Sequence, residues 1–63
     1  MIPKVGIGCS GEDGQCPERV DGWGLTRRSA GRRAARTARR VGWSRVVHDW
    51  GTAYYCVACG SQP

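Results

Sequence analysis

Apolar residues interleave with glycine near the start of the chain, recur with a helical period in the middle, and alternate with polar residues towards the end. In 2–8, Ile2, Val5 and Ile7 stand among glycines, and Pro3 restricts the start to an edge. A short strand at about 4–8 is expected there. Residues 9–16 form a loop with a cysteine at each end, with Asp13-Gly14 as its turn. The chain then returns as a second short strand, about 18–23, whose clearest apolar residue is Val20. Trp23 is expected either to pack on the cysteines or to begin the next element.

From 27 to 41 the period changes to 3.6. Ala30, Ala34, Thr37, Ala38 and Val41 fall within about a third of a helical wheel, and Arg28, Arg32, Arg33, Arg36, Arg39 and Arg40 fall opposite. Thr26 is the N-cap, and Gly42 is the C′ residue that ends the helix. An inner face of alanines lets such a helix sit close to a sheet. Gly31 weakens it by up to about 1 kcal/mol relative to alanine. Trp43-Ser44-Arg45-Val46-Val47-His48 reads as a third strand, with Trp43, Arg45 and Val47 on one face. Asp49 to Thr52 is a turn, 52–56 a fourth strand, and 56–60 a metal knuckle. The expected class is α+β: a small zinc ribbon with short β-hairpins flanking one amphipathic helix, in a single domain over 1–63.

Length and composition make a staple necessary. A chain of 63 residues buries only about 60% of the surface its unfolded form exposes. This one has a single Leu, two Ile, no Phe and ten Gly. Cys9, Cys16, Cys56 and Cys59 supply the candidate staple. In Cys56-Val57-Ala58-Cys59-Gly60, the two-residue spacer lets both sulfurs reach one ion, and Gly60 lets the chain bend away. Cys9 and Cys16 are too far apart for a tight knuckle, but Gly11 and Gly14 allow the loop to fold back. One structural Zn²⁺ held by four thiolates is therefore expected, with a three-Cys site completed by His48 as the fallback.

Two disulfides are the competing staple, and four cysteines permit three connectivities. They require an oxidising compartment, whereas the opening MIPKVGIG lacks the apolar core of a signal peptide. No run of eighteen apolar residues marks a membrane span. The expectation is a cytoplasmic protein, with a secreted disulfide peptide acting on anionic membranes as the minor alternative.

Charge adds the main functional clue. The formal net charge is +5, and four thiolates with one Zn²⁺ would bring it to about +3. All five acids lie outside 22–48, a window that holds eight arginines. Guanidinium forks suit phosphates, so Arg28, Arg32, Arg33, Arg36, Arg39, Arg40 and Arg45 form a candidate nucleic-acid surface. The bland reading is a solvated face produced by an arginine-rich composition. An acidic protein surface, such as transcription machinery, is the alternative partner.

Catalytic chemistry finds no support. Gly6-Ile7-Gly8-Cys9-Ser10-Gly11 matches the dinucleotide fingerprint by letter, but no helix is expected at its last glycine. A thioredoxin-type redox pair would open a helix, and only four residues follow Cys59. No nucleophile, base and orienting group can be assembled, so neither an enzyme nor a small-molecule substrate is expected.

The order of cysteine pair, strand, Ala/Arg helix, Gly-Trp, strand and aromatic-Cys-x-x-Cys resembles small uncharacterised zinc-ribbon-like proteins of actinobacteria and their phages. The residues that carry the resemblance are Ala38-Arg39-Arg40-Val41-Gly42-Trp43 and Tyr55-Cys56-Val57-Ala58-Cys59. The first cysteine pair in that pattern is usually more closely spaced. The resemblance implies a cytoplasmic zinc protein, phage-encoded in some cases, and no particular activity.

Overall fold

The computed structural model describes residues 2–59. Its elements run β1 (Lys4–Gly8), α1 (Gly11–Gly14), β2 (Arg19–Trp23), α2 (Arg27–Arg40), β3 (Ser44–His48) and β4 (Gly51–Tyr55). β1 and β2 form one antiparallel hairpin, and β3 and β4 form another. This is a small α+β fold with two hairpins and one main helix, compatible with a zinc ribbon. The predicted Gly60 bend and the 61–63 tail lie outside the described residues.

The α2 termini follow from their sequence. Thr26 Oγ1 accepts from the Ser29 N–H at 3.1 Å, and the Thr26 N–H donates to Ser29 Oγ at 3.0 Å. This is a capping box in which serine takes the place usual for glutamate. At the other end, Gly42 sits at φ +98°. Its N–H donates to the Arg39 carbonyl at 3.2 Å, and the Trp43 N–H donates to the Ala38 carbonyl at 2.8 Å. These two bonds make a Schellman motif, and Trp43 and Ala38 share the same core cluster as its apolar contact. The helix therefore stops at Arg40 rather than 41. Val41, expected on the inner face, is 53% exposed, because it is the C-cap and the chain has already begun to reverse.

α2 packs on β1 and β2 and barely touches β3. Ala30, Ala34 and Ala38 have no exposed surface. The approach is close enough that Gly22 is buried against the helix backbone itself. A Cβ on Gly22 would run into the Ala34 N and the Ala30 carbonyl oxygen. One on Gly24 would run into Ser29 Oγ and lie 2.6 Å from the Ala30 N. Glycine on the strand and alanine on the helix are what permit this contact. Trp23 neither covers the cysteines nor starts α2. It ends β2, mostly exposed, with Lys4 Nζ 5.3 Å from the centre of its ring.

The second hairpin meets this unit only near its open end, where Ser44 pairs with Tyr55. The Ser10 N–H donates to the Tyr54 carbonyl at 2.7 Å. The small core lies at this junction and consists of Cys9, Ala38, Trp43 and Cys56, flanked by Ile7, Val20 and Tyr54. Cysteine sulfurs occupy positions that a larger domain would give to leucine or phenylalanine.

Candidate metal centre

Each hairpin delivers two cysteines. Past Gly8 the first ladder continues by one bond, the Cys9 N–H donating to the Glu18 carbonyl at 2.9 Å. The loop beyond it is more ordered than its sequence suggests. Glu12 and Asp13 adopt φ of 50° and 58°, and Gly14 follows at 82°. Three consecutive left-handed residues turn the chain sharply, at a cost of roughly 1–2 kcal/mol for each non-glycine residue. The Gln15 N–H then reaches the Glu12 carbonyl at 3.1 Å, and the Cys16 N–H reaches the Gly11 carbonyl at 3.4 Å. This turn closes the six-residue gap and sets Cys16 beside Cys9. β4 carries Tyr55 directly into Cys56, and Cys59 follows after a short turn.

The sulfurs of Cys9, Cys16, Cys56 and Cys59 all lie within 4.8 Å of one another. Cys9 is 3.6 Å from Cys59, Cys16 is 3.5 Å from Cys56, and Cys56 is 3.6 Å from Cys59. Four bonds of about 2.3 Å to one tetrahedral ion would place sulfurs about 3.8 Å apart, so the cluster has nearly the dimensions of a tetrathiolate site. No disulfide joins these four cysteines, and the closest of these contacts is well beyond a bonded S–S pair. The disulfide alternative therefore has no counterpart in this geometry.

Backbone amides are aimed at the sulfurs. Cys9 Sγ accepts from the Gly11 N–H at 3.3 Å and from the Cys56 N–H at 3.2 Å. Backbone bonds from Glu18 and Cys59 favour the thiolates of Cys16 and Cys56. Such donors stabilise negative sulfur. The sequence pointed to a knuckle only at 56–60, yet Cys9 and Cys16 each take an amide from two residues further on.

The cluster without a cation favours protons. The Glu18 backbone bond lowers the Cys16 pKa, but burial and the sulfurs of Cys56, Cys9 and Cys59 outweigh it and push the thiol up to about 12. Burial raises Cys56 as well, with Cys9 and Cys59 adding to the shift. Four crowded sulfurs resist becoming four anions, and a divalent cation at their centre removes that resistance.

His48 is far from this centre. It pairs with Gly51 at the closed end of the second hairpin, four residues and roughly 14 Å along the strand from Ser44. Its ring stacks on Trp50, with centroids 4.5 Å apart and planes 3° from parallel. It takes no part in the four-sulfur cluster. The GxGxxG stretch runs from β1 into α1, which does begin at its last glycine, Gly11. But α1 is four residues long with Glu12 and Asp13 left-handed, a tight turn and not the helix that a dinucleotide site needs.

Arg28, Arg32, Arg33, Arg36, Arg39, Arg40 and Arg45 are all exposed. They do not form one uniform face. Arg32, Arg36 and Arg39 line a groove together with Arg45 and Tyr54 of the second hairpin, and Arg33 and Arg40 lie to the other side of Arg36. Arg28 belongs to neither depression. The sequence reading missed Tyr54 as a surface residue. The hairpin register would have found it, because a two-residue turn at Asp49-Trp50 sets Tyr54 directly opposite Arg45.

No protein-family model, curated protein or solved structure matches the chain. The resemblance to zinc-ribbon-like proteins thus stands on its short motifs alone. No helix among the described residues is long and apolar enough to cross a membrane.

Proposed function

We propose that this chain is a non-enzymatic binding module, stapled by one structural Zn²⁺, that contacts nucleic-acid phosphates through the arginines of α2. Tetrathiolate sites in small folds suit zinc, which has no geometric demand beyond a tetrahedron and is closed to water when four sulfurs hold it. The metal's role is then to hold the hairpins together. Native mass spectrometry should read one zinc per chain and, after denaturation, four free thiols.

The observation that carries the nucleic-acid reading is an absence of neutralising partners around the arginines. Among the described residues the one ion pair is Arg19 Nε to Asp21 Oδ1 at 3.7 Å, which involves none of the seven. Seven exposed guanidinium groups on α2 and β3 thus face solvent with no carboxylate of the described residues bridging them. Like charges so placed repel one another, and a polyanion relieves that repulsion while releasing its own counterions.

Fluorescence anisotropy with labelled oligonucleotides over about 50–200 mM salt tests this. Affinity should fall linearly on a log–log plot, with similar values across sequences. Changing Arg32, Arg36 and Arg39 together to alanine should weaken binding uniformly and flatten the slope by roughly 2–3. Absent or salt-independent binding by the wild type overturns the reading. Capture of an acidic protein under the same conditions would then transfer the arginine surface to the protein-partner alternative.

A further inference from the structure

Between α2 and the second hairpin lies a groove of about 370 Å³. That is near the lower end of ligand-site volumes, enough for one nucleotide unit rather than a large ligand. One wall is the row Arg32, Arg36 and Arg39, spaced i, i+4 and i+7, so that the three stand in line along the helix. The other wall is the cross-strand pair Arg45 and Tyr54. Gly31 and Ala35 keep the floor low between them. α2 and the second hairpin thus bring four cations and one aromatic ring to the same groove, with no acid among the residues that line it.

We infer that this groove is a site for single-stranded nucleic acid, in which Tyr54 stacks on a base while Arg32, Arg36, Arg39 and Arg45 hold the flanking phosphates. The inference rests on the proposed reading of the arginine surface and narrows it. A helix that reads duplex DNA lies inside the major groove. On this side α2 is not free to do so, because Arg45 and Tyr54 stand beside it. A concave, basic channel with an aromatic surface is instead the arrangement that accepts an unpaired strand, since every base offers a π-face. Tyr54 is half-buried against the core, so its ring is held in place before the strand arrives.

The test compares a labelled oligo-dT of about ten nucleotides, within the usual site size, with a duplex of the same length. The wild type should bind the single strand at least about tenfold more tightly than the duplex. Tyr54→Leu should lower single-strand affinity about tenfold and leave duplex affinity within about twofold. Tyr54→Phe keeps the ring and should bind as the wild type does. Arg45→Ala should cost about fivefold more than Arg27→Ala, which removes the same charge away from the groove. Arg45 is exposed, so this pair decides the matter even if Tyr54→Leu does not fold. Equal affinity for strand and duplex, or equal losses from Arg45→Ala and Arg27→Ala, overturns the groove while leaving the basic surface standing. No salt-dependent binding to either probe overturns both. Displacement of the strand by polyglutamate at equal charge concentration also overturns the groove, since it would reduce the site to charge alone.

Discussion

In the N-terminal unit, β1, β2 and α2 are held by backbone packed against backbone. Gly22 lies directly under Ala30 and Ala34, and three alanines are wholly buried. The second hairpin has almost none of this. Its strands rest on each other, Val47 and Trp50 face solvent, and its main ties to the rest are Trp43, the packing of Tyr54 on the core, the Ser10–Tyr54 hydrogen bond and two cysteines. One half is built by close approach, and the other meets it at a cluster of four sulfurs where the proposed ion would attach it. The contrast shows how a chain with ten glycines and one leucine makes two economies at once. Small residues bring elements together, and the proposed ion would supply the cohesion that large side chains otherwise provide.

The largest effect should come from removing the proposed zinc. Structural zinc contributes roughly 10–16 kcal/mol in small domains, and a strong chelator should withdraw it. Hydrogen exchange should then show β3–β4 losing protection ahead of α2 and β2. Simultaneous loss in both halves would break the comparison, because it would mean that close packing depends on the metal as fully as the attached hairpin does. In the metal-bound form, protons compete for the thiolates, so the ion should be lost as pH falls. Zinc release into a chromophoric chelator, followed downward from neutral pH, checks the sign.

A smaller effect, confined to the other half, should follow Gly22→Ala. The added methyl meets main-chain atoms that cannot rotate aside, and overpacking of this kind costs about 1–3 kcal/mol or more. Thermal melts of the zinc-loaded protein should register the loss while zinc stoichiometry stays at one. An unchanged melting temperature would mean that α2 sits less tightly on β2 than its contacts imply. The smallest effect should be a gain. At Gly31 the nearest atom to a new Cβ is Val5 Cγ1 at 4.0 Å, so Gly31→Ala should stabilise α2 by up to about 1 kcal/mol. A loss of stability there would show that the groove floor has no room for a methyl group.

These two glycines also mark how far the sequence could be read. Both look alike in a string of letters, and Gly31 was recognisable as a cost because it falls inside a helical period. Gly22 carried no such mark, because its role depends on which helix face lands on it. The helix itself was legible from Thr26 to Gly42, since its cap, period and stop are local. So were the four cysteines as one cluster, although the reason Cys9 meets Cys16 was not. Glu12 in a left-handed conformation has no compositional signature, and that residue helps make the turn. The groove was hidden for a related reason: its walls come from 32–39 and 45–54, and only the assembled fold sets them side by side.

The cysteine pairs sit near opposite ends of the chain, and this has a consequence for proteolysis. With the proposed ion bound, everything between Cys16 and Cys56 would be a ring closed through metal, and a single cut would leave that ring open but unseparated. Cleavage at the exposed Asp49-Trp50 turn would yield two fragments, each owning two sulfurs, that migrate together until zinc is withdrawn. A protease would therefore be able to nick this protein without dismantling it.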